Sequence, residues 1–132
     1  IDGALLFERE YASKSQIEQA LGDAQLSQKQ WKNLSLLERS EHIQAFVATL
    51  MEQKEILAEE LTKQMGRPIR YSAGELAGFQ QRAQTMLRLA PDVLSDIVPS
   101  RREGFTRFVR REPLGVVIVL SPWNYPYLTI II

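Results

Sequence analysis

The sequence predicts an α/β fold: a helical N-terminal segment leads into the first strand of a parallel sheet, and the chain stops soon after. Two observations predict it. Apolar residues recur at three- and four-residue steps until about Pro99. An unbroken apolar, β-branched run, Val116 to Leu120, follows and is closed by Pro122.

The helices are read in order from their start signals. Ser15-x-x-Glu18, Ser27-x-x-Gln30, Ser35-x-x-Glu38 and Ser72-x-x-Glu75 each match the capping box, in which serine and the acid or amide three residues on satisfy free backbone N–H groups reciprocally. After Ser35, Ile43, Phe46, Val47, Leu50 and Met51 form one stripe on a helix from about Leu36 to Gln53. Leu57, Leu61 and Met65 continue at four-residue steps to Gly66-Arg67-Pro68, with glycine as left-handed cap and proline as block. A further helix carries Leu76, Phe79, Ala83, Leu87 and Ala90. It is expected to end at Pro91, with a short helix running on through Asp96. Phe105 to Arg111, between Gly104 and Pro113, reads as a strand. The strand at Val116–Leu120 has no suitable partner later in the chain, so its neighbours are expected downstream of Ile132 or in another chain. The apolar end, Leu128 to Ile132, reads as an interruption.

Composition narrows the function. Sixteen basic and sixteen acidic residues leave no net charge to attract nucleic acid or an anionic membrane. The clusters Arg101-Arg102 and Arg107-Arg110-Arg111 are short and interrupted, so no nucleic-acid partner is expected. No signal peptide or membrane span is visible, and the start Ile1-Asp2-Gly3 lacks methionine. With no cysteine, the chain supplies no thiol nucleophile, disulfide or zinc cluster, and no metal site is expected. That usage is compatible with a reducing cytosol. His42, Glu59 and Glu60 read as surface, Trp31 as a packing anchor, and Arg101-Arg102 as linker surface.

Chemistry concentrates in Glu112-Pro113-Leu114-Gly115-Val116-Val117-Ile118-Val119-Leu120-Ser121-Pro122-Trp123-Asn124-Tyr125-Pro126. A buried strand delivers a loop at its C-terminal end, where open α/β sheets bind ligands. Two prolines stiffen that loop. The amide of Asn124 donates two hydrogen bonds without charge, and a rigid frame aims it as an oxyanion hole requires. The alternative is a turn in which Asn124 bonds only to backbone.

This stretch resembles the signature of the aldehyde dehydrogenase superfamily, a Glu-Pro-Leu-Gly-Val-Val strand leading into Pro-Trp-Asn-Phe/Tyr-Pro. Trp31, Glu38-Arg39, Gly66-Arg67-Pro68 and Glu75 resemble the order of the family's N-terminal markers. The resemblance implies a Rossmann-like sheet and three segments. Residues 1–99 are the helical N-terminal part of the cofactor-binding domain, 100–112 a strand and linker toward an oligomerisation region, and 113–132 the first Rossmann-like strand with the start of the next helix. It implies oxidation of an aldehyde to a carboxylic acid through a cysteine thiohemiacetal, with hydride passing to NAD or NADP. Asn124 matches the oxyanion-binding asparagine. Leu120, Ser121, Pro122 and Trp123 match cofactor-lining positions, and Tyr125 and Leu128 match positions facing the aldehyde tunnel. Tyr125 stands where the family more often has phenylalanine. The expected partners are a small-molecule aldehyde and, at full length, identical subunits in a homo-dimer or homo-tetramer; the expected location is the cytoplasm. The nucleophile, the glutamate base and the phosphate-binding glycine turn are not among these residues, so the chain alone is expected to be inactive. Two other readings stay open: a non-enzymatic helical interaction module, and an acylating, coenzyme A-dependent dehydrogenase.

Overall fold

The computed structural model describes residues 3–131; the readings made on Ile1, Asp2 and Ile132 lie outside the described residues. Among the described residues there are five helices: α1 (Lys14–Trp31), α2 (Leu36–Glu52), α3 (Lys54–Met65), α4 (Ile69–Val93) and α5 (Pro126–Ile130). Helix α4 is the hub and packs against α2, α3 and α5. None of the helices is long and apolar enough to cross a membrane.

The core lies where the apolar stripes meet. Phe79 and Leu76 are fully enclosed, and Ala83, Val47, Ala58 and Leu61 are buried around them. Ile43, Leu50, Met51, Tyr127 and Ile131 close the cluster about Val47, Phe79 and Ala83. The rings of Phe46 and Phe79 meet edge to face at 6.2 Å between centroids, an arrangement that suits the aromatic quadrupole. Helix α1 buries no residue; Trp31 at its end rests on His42, 5.6 Å between centroids. His42 is exposed, as read, whereas Trp31, read as a packing anchor, is itself 36% exposed.

Only one of the four expected capping boxes forms as read. Ser35 caps α2: its hydroxyl accepts from the Glu38 N–H at 3.2 Å, and Glu38 Oε2 accepts from the Ser35 N–H at 2.7 Å. The box at α1 is Ser13 with Gln16 rather than Ser15 with Glu18, and Ser27 lies inside the same helix. Ser72 and Glu75 lie inside α4 and are buried. This helix starts earlier because Pro68 holds φ at −59°, already suited to a helical turn, so Ile69 follows without a serine cap. It continues through Pro91 to Val93 instead of stopping there. A proline this close to the helix end removes one late hydrogen bond rather than many. No separate helix follows toward Asp96 among the described residues. Gly66 behaves as read: at φ 81° it caps α3, and its N–H reaches Thr62 O at 2.8 Å.

The Ser35–Glu38 box yields a pH prediction. Hydrogen bonds from the Ser35 hydroxyl, first, and its backbone N–H hold the Glu38 carboxyl below the usual carboxylate range. Its stabilising effect is therefore complete above the ordinary glutamate value and is lost as pH falls through the lowered one. Glutamine can fill the same box, as Gln16 does at α1. The melting-temperature advantage of the native protein over Glu38→Gln is thus expected to shrink on acidification. An advantage that stays constant through the acid range would contradict this.

The two expected strands are not strands among the described residues. Phe105–Arg111 forms only single bridges: Ile97 pairs with Val109 through bonds of 3.0 and 2.9 Å, and Arg102 pairs with Phe105. Arg110 clasps the Asp96 carboxylate beside this closure at 2.6 and 3.0 Å, and that contact lowers the Asp96 pKa. Val116–Leu120 forms no ladder and lies open to solvent, with Leu120 88% exposed. Composition favours a strand there, but a ladder requires a partner strand, and none pairs with it among the described residues. Leu114, Val117 and Ile118 are exposed with it. Open edges and apolar patches drive association. The 132-residue chain is therefore expected to show light scattering that rises with concentration. A stable monomer at all concentrations would contradict this.

Candidate functional site

The site is built around α4 and the loop that runs into α5. Gly66 ends α3 in the left-handed conformation, and Arg67 follows it in the short link to α4. One guanidinium nitrogen of Arg67, Nη2, donates to Glu75 Oε2 at 2.8 Å and to the backbone carbonyl of Asn124 at 2.5 Å. Arg67 Nε meets the sulfur of Met65 at 3.0 Å. The guanidinium lies 4.9 Å from the centroid of the Tyr125 ring, within cation–π range. The Glu75 side chain is wholly buried and that of Arg67 nearly so.

Glu75 also serves the loop from the other side. Its Oε1 accepts from the Tyr127 N–H at 2.9 Å and from the Leu128 N–H at 3.5 Å. These are the free donors of the first turn of α5. Pro126 opens that helix, and Tyr125, at the N-cap position, makes no side-chain cap. A carboxylate from another helix thus takes the place of a local cap. Arg82 adds a bond of 3.4 Å to Leu128 O, and the Thr62 and Ser72 hydroxyls meet at 2.7 Å beneath the site. Gly78 faces α5, where an added Cβ would make ordinary contact with the Leu128 side chain at 3.5 Å. Burial, and then the negative charges of Glu75 and Glu60, raise the Tyr127 pKa, so its phenol stays neutral through the physiological range.

Of the residues read from sequence, the structure gathers Asn124, Tyr125 and Leu128 here. Tyr125 and Leu128 line a cleft with Met65, Arg67, Tyr71 and Glu75. Asn124 is partly buried, and its side-chain amide makes no hydrogen bond among the described residues. Leu120, Ser121, Pro122 and Trp123 stand apart, exposed on the approach to the loop, with Trp123 76% exposed. No group of acidic or histidine side chains suited to a metal ion occurs among the described residues.

Sequence reasoning missed Arg67 and Glu75 as site residues and took Glu75 for half of a capping box. A signal was present. Glu75 falls on the same helical face as Leu76, Phe79 and Ala83, and a carboxylate on an apolar stripe must find a partner.

A helical hub that grips the Pro-Trp-Asn-Tyr-Pro loop is thus the frame of the site. The model of the aldehyde dehydrogenase family matches residues 1–132, and the chain belongs to that family. It is similar to the 3-sulfolactaldehyde dehydrogenase of Pseudomonas putida, 32% identical over 113 residues, which are 86% of this chain and 23% of that protein. It is also similar to the succinate semialdehyde dehydrogenase of Acinetobacter baylyi, 28% identical over 113 residues with the same two coverages. Among solved structures, an indole-3-acetaldehyde dehydrogenase in apo form superposes with a TM-score of 0.86 at 29% identity, covering 98% of this chain and 30% of that one. The succinic semialdehyde dehydrogenase of Streptococcus pyogenes, solved in complex with NADP+, superposes with a TM-score of 0.84 at 24% identity, over 96% of this chain and 28% of that one. The chain therefore spans less than a third of the length of each of these proteins.

Proposed function

We propose that this chain is the N-terminal part of an NAD(P)-dependent aldehyde dehydrogenase that oxidises a small-molecule aldehyde to the carboxylic acid. The observation that carries the reading is the Asn124 loop. Its backbone is tied to Arg67 and Glu75, yet the Asn124 amide makes no hydrogen bond among the described residues. A turn asparagine spends its side chain on nearby backbone. A fixed, unspent donor suits an oxygen that becomes negative during reaction.

In this reading a cysteine thiolate from outside these 132 residues attacks the aldehyde carbon. A carbon–sulfur bond forms, and the carbonyl electron pair moves onto oxygen. Asn124 donates to that oxygen as its charge grows. NAD or NADP, when bound, would supply the acceptor for the hydride, and hydrolysis of the resulting thioester by water would release the carboxylic acid and the thiolate. The residues of this chain suit one wall of such a site. Leu120, Pro122 and Trp123 offer uncovered apolar surface, and Ser121 adds a hydroxyl. Tyr125 and Leu128 flank the cleft that the aldehyde approaches. The segments 1–99, 100–112 and 113–132 then contribute helices, a link toward an oligomerisation region, and the first strand of a Rossmann-like sheet. Half-exposed Phe105, Phe108 and Val109 leave the middle segment open to pairing in a homo-dimer or homo-tetramer. A helical interaction module gives no reason for a buried ion pair holding this loop.

The test is turnover. The complete enzyme carrying this chain is expected to reduce NAD or NADP when an aldehyde is supplied. The purified 132-residue chain, having no cysteine, is expected to reduce neither. Aldehyde-dependent turnover by the chain itself, free of host enzyme, would overturn the reading.

A further inference from the structure

We propose that Arg67 and Glu75 are positioning residues: their buried ion pair grips the loop backbone around Tyr125 and so sets where the Asn124 amide points. The inference rests on the reading of Asn124 as the oxyanion donor, and assigns the aim of that donor to two side chains remote in sequence.

The geometry is a two-handed hold. Arg67 takes the carbonyl of Asn124 and covers the Tyr125 ring, while Glu75 takes the N–H groups of Tyr127 and Leu128. Pro126, between them, has no N–H to offer. The Arg67–Glu75 bond ties the two hands together at 2.8 Å, so the loop cannot shift against one without straining the other. Helix α5 has five residues, too few to hold its shape alone. Its first turn depends on the Glu75 carboxylate for hydrogen-bond partners. A buried ion pair is a poor way to add stability, because desolvation offsets much of the attraction. Orientation is the role that the arrangement fits, since the Arg67 nitrogen that meets Glu75 also holds the Asn124 carbonyl, and the other Glu75 oxygen takes the loop N–H groups.

The variants are Arg67→Met, which keeps bulk and removes both bonds, Arg67→Lys, which keeps one cation, and Glu75→Gln. They are examined in the complete enzyme by single-turnover hydride transfer, cofactor KM, and hydrogen exchange at the Tyr127 and Leu128 amides. Arg67→Met is expected to slow hydride transfer by up to about a hundredfold, as small misplacements of reacting groups do. Cofactor KM should stay near its native value and exchange at Tyr127 should accelerate. Arg67→Lys should recover much of the rate. Glu75→Gln should accelerate exchange at Tyr127 and Leu128 while the enzyme remains folded. If Arg67 acts through Asn124, adding Asn124→Ala to Arg67→Met should slow the enzyme little beyond Asn124→Ala alone. Unchanged exchange, fully multiplicative rate losses, or losses that track melting temperature without rescue by lysine would each overturn the proposal. Native hydride transfer in Asn124→Ala would instead overturn the oxyanion reading. Slow transfer with accelerated exchange in Arg67→Met would then still support loop positioning, acting through Tyr125 and Leu128.

Discussion

Asn124→Ala in the complete enzyme is expected to lower kcat by about a hundred- to a thousandfold, the equivalent of roughly 2.7–4 kcal/mol of transition-state stabilisation from one oxyanion donor. The loss falls on kcat because the donor binds the charged oxygen more strongly than the ground-state carbonyl. Fold and cofactor affinity should persist. The amide makes no hydrogen bond among the described residues, so its removal leaves no buried partner stranded. Asn124→Asp is the sharper experiment. An ionised carboxylate offers only acceptors to an oxygen that is becoming negative, so this variant should be at least as slow. If Asn124 merely shaped a turn, aspartate would serve almost as well. Single-turnover hydride transfer and melting temperatures of both variants decide between the two roles. A near-native rate in the aspartate variant would remove Asn124 from catalysis.

Phe79→Ala is expected to cost about 3–5 kcal/mol of folding stability, the range for a large aromatic deleted from a closed core. Phe79 is fully buried on α4, packs edge-on against Phe46, and belongs to the cluster joining α2, α4 and α5. The cavity left behind would be bordered by three helices whose backbones cannot all move inward. Phe79→Leu retains much of the volume and should cost less. Urea unfolding followed by helical circular dichroism measures both. A loss below about 1 kcal/mol for the alanine variant, the middle of the ordinary range for point substitutions, would show that the core closes over the gap.

What was legible in the sequence was what local pattern controls. The stripe through Ile43, Val47, Leu50 and Met51 faces the core, and so does that through Leu76, Phe79 and Ala83. Gly66 adopts the left-handed cap, and Ser35 with Glu38 forms its box. Each depends on neighbours a few residues away. What was not legible depends on partners far along the chain. The pattern Ser-x-x-Glu fits both Ser35–Glu38 and Ser72–Glu75, yet Pro68 had already launched α4 when Ser72 was reached. Glu75 then finds its partners at Tyr127 and Leu128, more than fifty residues on. The β-branched run Val116–Leu120 records a preference for sheet that has no means of expression without a second strand. For the site, Asn124, Tyr125 and Leu128 stood out through their motif, whereas the pair that holds them had to be seen in space.

The capping of α5 by a carboxylate on α4 also bears on how the molecule opens. Most of α4 should exchange its amide protons only through extensive unfolding, because its inner face is sealed by two other helices. The segment from Asn124 to Ile130 is secured differently, by Arg67, Glu75, Arg82 and a few apolar contacts. It is expected to open before the helical hub does. A protease probing the native state should therefore cut within this segment before it cuts α4. If Asn124 must be held in place to act, each such opening would take the loop out of its reactive form.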